Sequence, residues 1–309
     1  MSSDTILGSP QLEAVTVVKR ESSSYSYGGS AVTDDKRLEI SSTSTGLKKY
    51  YHRLLACLRR SRHKFREPLA EFLGTLVLIL LINGIMAYQI LIAPNNMSWL
   101  TVSLGSGFAV LCAIALSGHV SGAHVNPVIT LVFCLYGDFP GHKVPIYWLA
   151  QFFGGFCGSA ILYVLVLPAI DHFDGGSRTI LGKTGTAGIF ATYPPPYVGL
   201  VSATVSEIVG TGMLVLLILS TGHPNNVPFS YVQGVMVAVG LVTIILAFGY
   251  TSGFSLNPAR DLGPRLFTAI AGWGIDVFTI NDYYVFVPLL APFVGGIFGG
   301  AVYSIFIDS

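Results

Sequence analysis

The chain has 309 residues, a formal net charge of +1 and a mean hydropathy of +0.64, with 52% hydrophobic and only 11% charged residues. Soluble domains carry roughly 25% charged residues, so this composition excludes an ordinary water-soluble globular domain, and the near-neutral balance argues against nucleic-acid binding. Placement sharpens the point: 12 of the 17 Lys and Arg residues lie at or before Arg66, and no Asp, Glu, Lys or Arg stands between Glu71 and Asp138. Such a stretch suits a bilayer, which asks for ~20 apolar residues per spanning helix.

In chain order, residues 1–46 are rich in Ser, Thr, Gly and Tyr without a helical period, and read as a disordered cytoplasmic tail. Lys19 and Arg20 precede Ser22 in a basophilic kinase context, as Arg59 and Arg60 precede Ser61. No apolar run behind a short basic segment marks a cleaved signal peptide. Residues 47–67 form a basic juxtamembrane segment, with Leu47, Tyr51, Leu54, Leu55 and Leu58 on one helical face among Lys and Arg. Two readings stand side by side: an amphipathic helix on an anionic lipid surface, or a basic stretch that sets topology. The channel domain is expected over residues 68–309.

After Pro68, apolar segments long enough to span lie near 69–92, 99–117, 145–168, 199–220, 229–249 and 284–306. Two shorter apolar pieces, near 124–135 and 257–268, begin with Asn-Pro and are too short to cross, which marks re-entrant segments. The basic run before the first span places the N-terminus in the cytoplasm, and an even number of spans returns the C-terminus to the same side. Asn96, in the sequon Asn96-Met97-Ser98, then falls in the first external loop as a glycan acceptor candidate. The four cysteines, Cys57, Cys112, Cys134 and Cys157, have no CxxC spacing, and neither a disulfide, a metal site nor a cofactor is expected.

Two halves recur. The first reads AEFLGTLVLIL and later SGAHVNPVIT; the second reads SEIVGTGMLVL and later SGFSLNPARD. Glu71 precedes Asn126 by 55 residues and Glu207 precedes Asn257 by 50. Repeat one covers about 68–168 and repeat two about 199–306, each with three spans, so the second must insert upside down, with a solute path between them. The fold expected is therefore an all-α membrane protein of six transmembrane helices plus two re-entrant half-helices in an inverted repeat.

Asn-Pro suits the start of each half-helix. Pro127 and Pro258 fit the first helical position, and Asn126 and Asn257 fit the N-cap, leaving their NH2 groups free to donate into a pore. Two half-helices meeting by their N-termini each bring the equivalent of about +0.5 charge to the midplane, which repels cations and protons. The extended stretches before the boxes offer carbonyl acceptors, tolerated at that depth only along a water-filled cavity. Arg260 is the only basic residue expected deep in the membrane profile, which marks function. Glu71 and Glu207 are expected to brace the re-entrant backbone by accepting its N–H groups rather than to carry protons. His119 and His124 are read as vestibule residues bonded to carbonyls; their spacing does not suit a metal pair. Gly154 with Gly158, and Gly295, Gly296, Gly299 and Gly300, give small-residue spacing for close helix packing, within one protomer or between protomers.

With paired boxes at Asn126-Pro127-Val128 and Asn257-Pro258-Ala259, residues 68–306 resemble the major intrinsic protein family, the aquaporins and aquaglyceroporins. Val128 departs from the family's usual Ala, with at most a small change in helix packing expected. Asp261, Arg265, Pro288 and Leu289 resemble markers of the glycerol-conducting branch. Carried over by offset from the boxes, the family's selectivity filter falls on Ser106, Ile245, Phe254 and Arg260. Neither the His nor the first bulky aromatic of water-specific members is present, although His119 looks more like those members. The resemblance implies a passive channel for water, glycerol and hydrogen peroxide that excludes ions and protons. It implies no enzyme activity, a plasma-membrane location, contact with lipid, and a homotetramer with one pore per protomer. A water-selective channel is the alternative, and an ion-coupled secondary transporter is the reading from another class; the latter would need a midplane carboxylate beyond the two repeat glutamates.

Overall fold

The computed structural model describes residues 46, 48–53, 65–94 and 97–308. Residues 48–53 are helical and exposed and belong to a unit of their own. The tail, most of the juxtamembrane segment and Asn96 lie outside the described residues.

Six apolar helices are long enough to cross a membrane: Arg66–Ile92, Trp99–Ser121, Gly141–Asp174, Leu200–Gly222, Phe229–Ser252 and Ile280–Phe306. Their regular parts are α1 (Arg66–Ala87), α2 (Trp99–Ser121), α4 (Val144–Asp174), α5 (Leu200–Gly222), α6 (Gln233–Ser252) and α8 (Phe286–Phe306). The half-helices are α3 (Pro127–Tyr136) and α7 (Pro258–Thr268). Large apolar side chains on the outer faces stay uncovered, with Val164 and Val201 at 72% and 80% exposure, as suits contact with lipid tails. The chain is an integral membrane protein.

The third span outruns its expected end at Pro168. Proline frees one backbone acceptor but does not stop this helix, which continues to Asp174. It ends where Gly175 turns left-handed, at φ 65°, and the Asp174 carboxylate accepts the Gly176 N–H at 2.9 Å.

Glycine sets the helix spacing. A Cβ at Gly154 or Gly158 of α4 would lie 2.5 or 2.6 Å from the Phe72 or Leu76 carbonyl oxygen of α1. The same holds at Gly295 and Gly299 of α8, against the Ile208 and Gly212 carbonyls of α5, at 2.3 and 2.5 Å. These stripes therefore pack helices within this chain, and they do so at matching places in both repeats.

Candidate functional site

The two loops that lead into the half-helices are copies of each other in backbone detail. Helix α2 stops at Gly122 and α6 at Gly253, both with φ 87°. Ala123, Val125, Phe254 and Leu256 then follow with φ between 43° and 54°. Non-glycine residues in that region are strained, Val125 most of all because it is β-branched, so the surroundings must hold them there. Glu71 does so in the first loop. Its Oε1 accepts the Ser121 hydroxyl and the His124 N–H, and its Oε2 accepts the Val125 N–H and the Gln151 amide, at 2.6–2.9 Å. Glu207 does the same in the second, with Ser252, Ser255 N–H and Leu256 N–H at 2.6–2.9 Å. Both glutamates are fully buried. Tyr147 and Tyr284 add a further matched pair, each donating its hydroxyl to the last carbonyl before a loop, at Ser121 and Ser252.

Asn126 caps α3 by accepting the Val128 N–H at 2.9 Å, and Asn257 caps α7 by accepting from Ala259 and Arg260 at 2.9 and 3.3 Å. Their amide groups are not wholly free, contrary to expectation. Asn126 Nδ2 donates to the Leu256 carbonyl at 2.9 Å, and Asn257 Nδ2 donates to the Val125 carbonyl at 2.8 Å. The left-handed Val125 and Leu256 aim those two carbonyls at the opposite half-helix, so each asparagine spends one hydrogen on the opposite loop. One hydrogen per amide remains. The carbonyls of Gly122, Ala123, His124, Gly253, Phe254 and Ser255 accept no hydrogen bond among the described residues.

A cavity of about 140 Å³ follows this polar edge. It runs from His124 and Gln233, past both asparagines, to Ser106, Ile245, Phe254 and Arg260, with Leu78, Ile82, Val110 and Leu241 on its apolar wall. A second cavity, about 250 Å³, lies under the loop that carries Ile180 and Tyr193, and it shares Phe254 and Arg260 with the first. The lining is thus polar on one side and apolar on the other, and the two cavities adjoin at Phe254 and Arg260. Ser106 is buried at 1% exposure, and its Oγ has no protein partner.

Arg260 sits at that junction. Its Nη1 donates to the Phe190 carbonyl at 2.8 Å and reaches Asn83 Oδ1 at 3.5 Å, while its guanidinium lies 5.4 Å from the Phe254 ring centre. Its Nε is buried without a partner. Asp261, next in sequence, turns away and pairs with Arg265 at 2.7 Å. Arg265 Nη2 and Asp261 Oδ2 both grip Thr192.

Other expected site residues fall elsewhere. His119 is exposed and lines neither cavity. Ser117 and Ser121 share the α2 face that meets the loop, and His119, halfway between them, points to the other side at 3.6 residues per turn. His124 does line the cavity, but its Nδ1 meets the Thr130 hydroxyl at 3.2 Å instead of a carbonyl, and its ring packs on Phe133, Phe139 and Tyr147. Pro288 is buried and Leu289 half-buried in α8, and neither lines a cavity. Val128 and Ala259 are fully buried in helix packing. Val128 fits because it faces Gly296, where a Cβ would lie 2.3 Å from its Cγ1. Proline rings at 127 and 258 fill the first turn of each half-helix.

Sequence reasoning missed Asn83, Phe190, Thr192 and the two tyrosines. Asn83 could have been flagged as the one asparagine in the apolar run of α1, buried and bonded to Ser159 at 3.2 Å. Phe190 acts through its carbonyl, which leaves no trace in residue type.

Comparisons with known proteins agree with this fold. The family model described as major intrinsic protein matches residues 59–303. The chain is 56% identical over 264 residues to "Aquaporin-2" of Rhizopus delemar, covering 85% of this chain and 83% of that one. It is 43% identical over 244 residues to "Aquaglyceroporin-2" of Rhizophagus irregularis, covering 79% and 77%. The X-ray structure of the aquaglyceroporin from Plasmodium falciparum superposes with a TM-score of 0.70 at 32% identity, covering 79% of this chain and 96% of that one.

Proposed function

The chain belongs to the major intrinsic protein family, and from that premise we propose that it is a passive membrane channel of the glycerol-conducting branch. It passes water, glycerol and hydrogen peroxide and excludes ions and protons. The observation that carries this is the junction of the two cavities, where Phe254 and Arg260 meet a path bordered by Ser106 and Ile245. Ser106 leaves space that a bulky side chain would fill and Ile245 offers no hydrogen bond, which favours a polyol beside water. The Ser106 hydroxyl, the bare carbonyls and the remaining asparagine hydrogens bind one edge of a polyol, and the apolar wall takes its carbon backbone. The half-helix N-termini and the Arg260 guanidinium supply the positive potential that turns cations away.

The engagement of Glu71 and Glu207 supports a channel over an ion-coupled transporter, because each spends its oxygens on backbone and serine donors. The protein assembles as a homotetramer with a pore in each protomer and lies in the plasma membrane, in contact with lipid, with both termini cytoplasmic. Its channel domain spans residues 68–309, and the N-terminal region precedes it as a tail and a basic segment.

Stopped-flow light scattering of proteoliposomes tests the solute class. Under a sucrose gradient the vesicles shrink and stay shrunken, and under a glycerol gradient they shrink and rapidly re-swell. Vesicles that move water yet exclude glycerol would establish the water-selective alternative.

A further inference from the structure

We propose that Asp261 and Arg265 are positioning residues that hold Arg260 in the path, and so help to set which solutes pass. The inference rests on the reading of Arg260 as part of the constriction. Asp261 adjoins Arg260 in sequence and is buried at 1% exposure, as is Arg260 at 2%. A buried carboxylate beside a buried guanidinium would ordinarily pair with it, because an unpaired buried charge is costly. Here it does not. Both Asp261 oxygens are taken: Oδ1 by Arg265 Nε at 2.7 Å, and Oδ2 by Arg265 Nη2 at 3.0 Å, Thr192 N–H at 2.8 Å and Thr192 Oγ1 at 2.6 Å. Arg265, fully buried, is fixed in turn by the Val277 and Thr192 carbonyls at 2.7 and 2.6 Å, and it stacks 4.5 Å from the Tyr193 ring centre.

Two consequences follow for Arg260. First, Arg265 occupies the carboxylate that would draw Arg260 out of the path, so the Arg260 charge stays directed at the cavity. Second, the pair clamps Thr192 from both its N–H and its C=O side, two residues after the carbonyl that Arg260 uses. Phe190 itself is fully buried among Phe267, Trp273 and Tyr163. The loop peptide is therefore held between its clamp and Arg260, and a change at Asp261 or Arg265 reaches the junction through Thr192 and Phe190.

The test is the ratio of erythritol to glycerol flux in proteoliposomes, since misfolded channels lower both fluxes and leave their ratio unchanged. Arg265→Met frees Asp261 for Arg260 and should raise the ratio about threefold or more, with Thr192→Val raising it less, as one hydroxyl donor carries less than a bidentate pair. Arg265→Lys keeps the charge without the planar fork and should fall between wild type and Arg265→Met. If Arg265→Met does not fold, Thr192→Val and Arg265→Lys carry the test. Arg260→Ala is run beside them. A ratio that shifts in Arg260→Ala but stays at the wild-type value in every clamp variant overturns the positioning role. A ratio unmoved by Arg260→Ala overturns the constriction itself, and the inference with it.

Discussion

Half-helix α3 opens with Asn126-Pro127-Val128 and carries no charged residue, whereas α7 opens with Asn257-Pro258-Ala259 and carries Arg260, Asp261 and Arg265. Around them the scaffold is duplicated: a buried glutamate on two loop N–H groups, a tyrosine on the last helix carbonyl, and left-handed residues at matching places. What the repeats share builds a path. What they do not share decides what enters it, because the charged cluster stands at one junction only. The duplicated parts act on backbone, which both halves need alike, and the unmatched parts act on the cavity.

The largest effect should come from breaking the shared part. Glu71→Ala or Glu207→Ala leaves two buried N–H groups without an acceptor, and Glu207→Ala the Ser252 hydroxyl as well, at about 1–3 kcal/mol per buried donor. Each variant should lose on the order of 3 kcal/mol or more of stability, read as a fall in the thermal unfolding midpoint of purified channel in detergent. Comparable losses in both halves sharpen the comparison; a loss in only one would break it.

Narrowing the unmatched junction should act on flux instead of stability. Ser106→Trp adds bulk where the side chain is small, and Ile245→His adds a hydrogen-bonding ring where it is apolar. Glycerol flux should fall about tenfold and water flux far less, since only the wider solute needs the removed space. Stopped-flow rates for both solutes on one preparation give the answer, and equal losses would show that these two side chains do not form the narrow point.

A smaller effect separates the two box positions that differ. Gly296→Ala places a Cβ against Val128 Cγ1 and should cost about 1–3 kcal/mol, most of it recovered by adding Val128→Ala. Gly155→Ala meets the Ala259 carbonyl oxygen at 2.6 Å, a backbone obstacle that no change at Ala259 relieves. Thermal unfolding of the single and double variants measures the coupling.

Much of this was legible in the sequence because it rests on pattern. Apolar length gave the spans, and the recurrence of Glu71 and Glu207 ahead of the Asn-Pro boxes gave the inverted repeat and the bracing role assigned to them. The rest depends on backbone paths that side chains do not announce. The reciprocal bonds of Asn126 and Asn257 need carbonyls aimed by left-handed Val125 and Leu256, neither of which is a residue that favours such a conformation. The Phe190 carbonyl sits in a loop without periodicity, so its meeting with Arg260 across 70 residues is a tertiary event. His119 lies in the last turn of α2, exposed and outside both cavities, a placement that residue type alone does not announce.

The central claim is that the path carries neutral solutes while Arg260 and the half-helix ends hold charge out. Proton flux into glycerol-permeable proteoliposomes, followed with an entrapped pH dye under an imposed potential, tests it most directly when wild type and Arg260→Val are compared. Wild-type vesicles should re-swell in glycerol with no proton flux above protein-free liposomes, and Arg260→Val vesicles should re-swell and also leak protons. Proton flux through the wild type that scales with channel content, or none through Arg260→Val, would contradict the account.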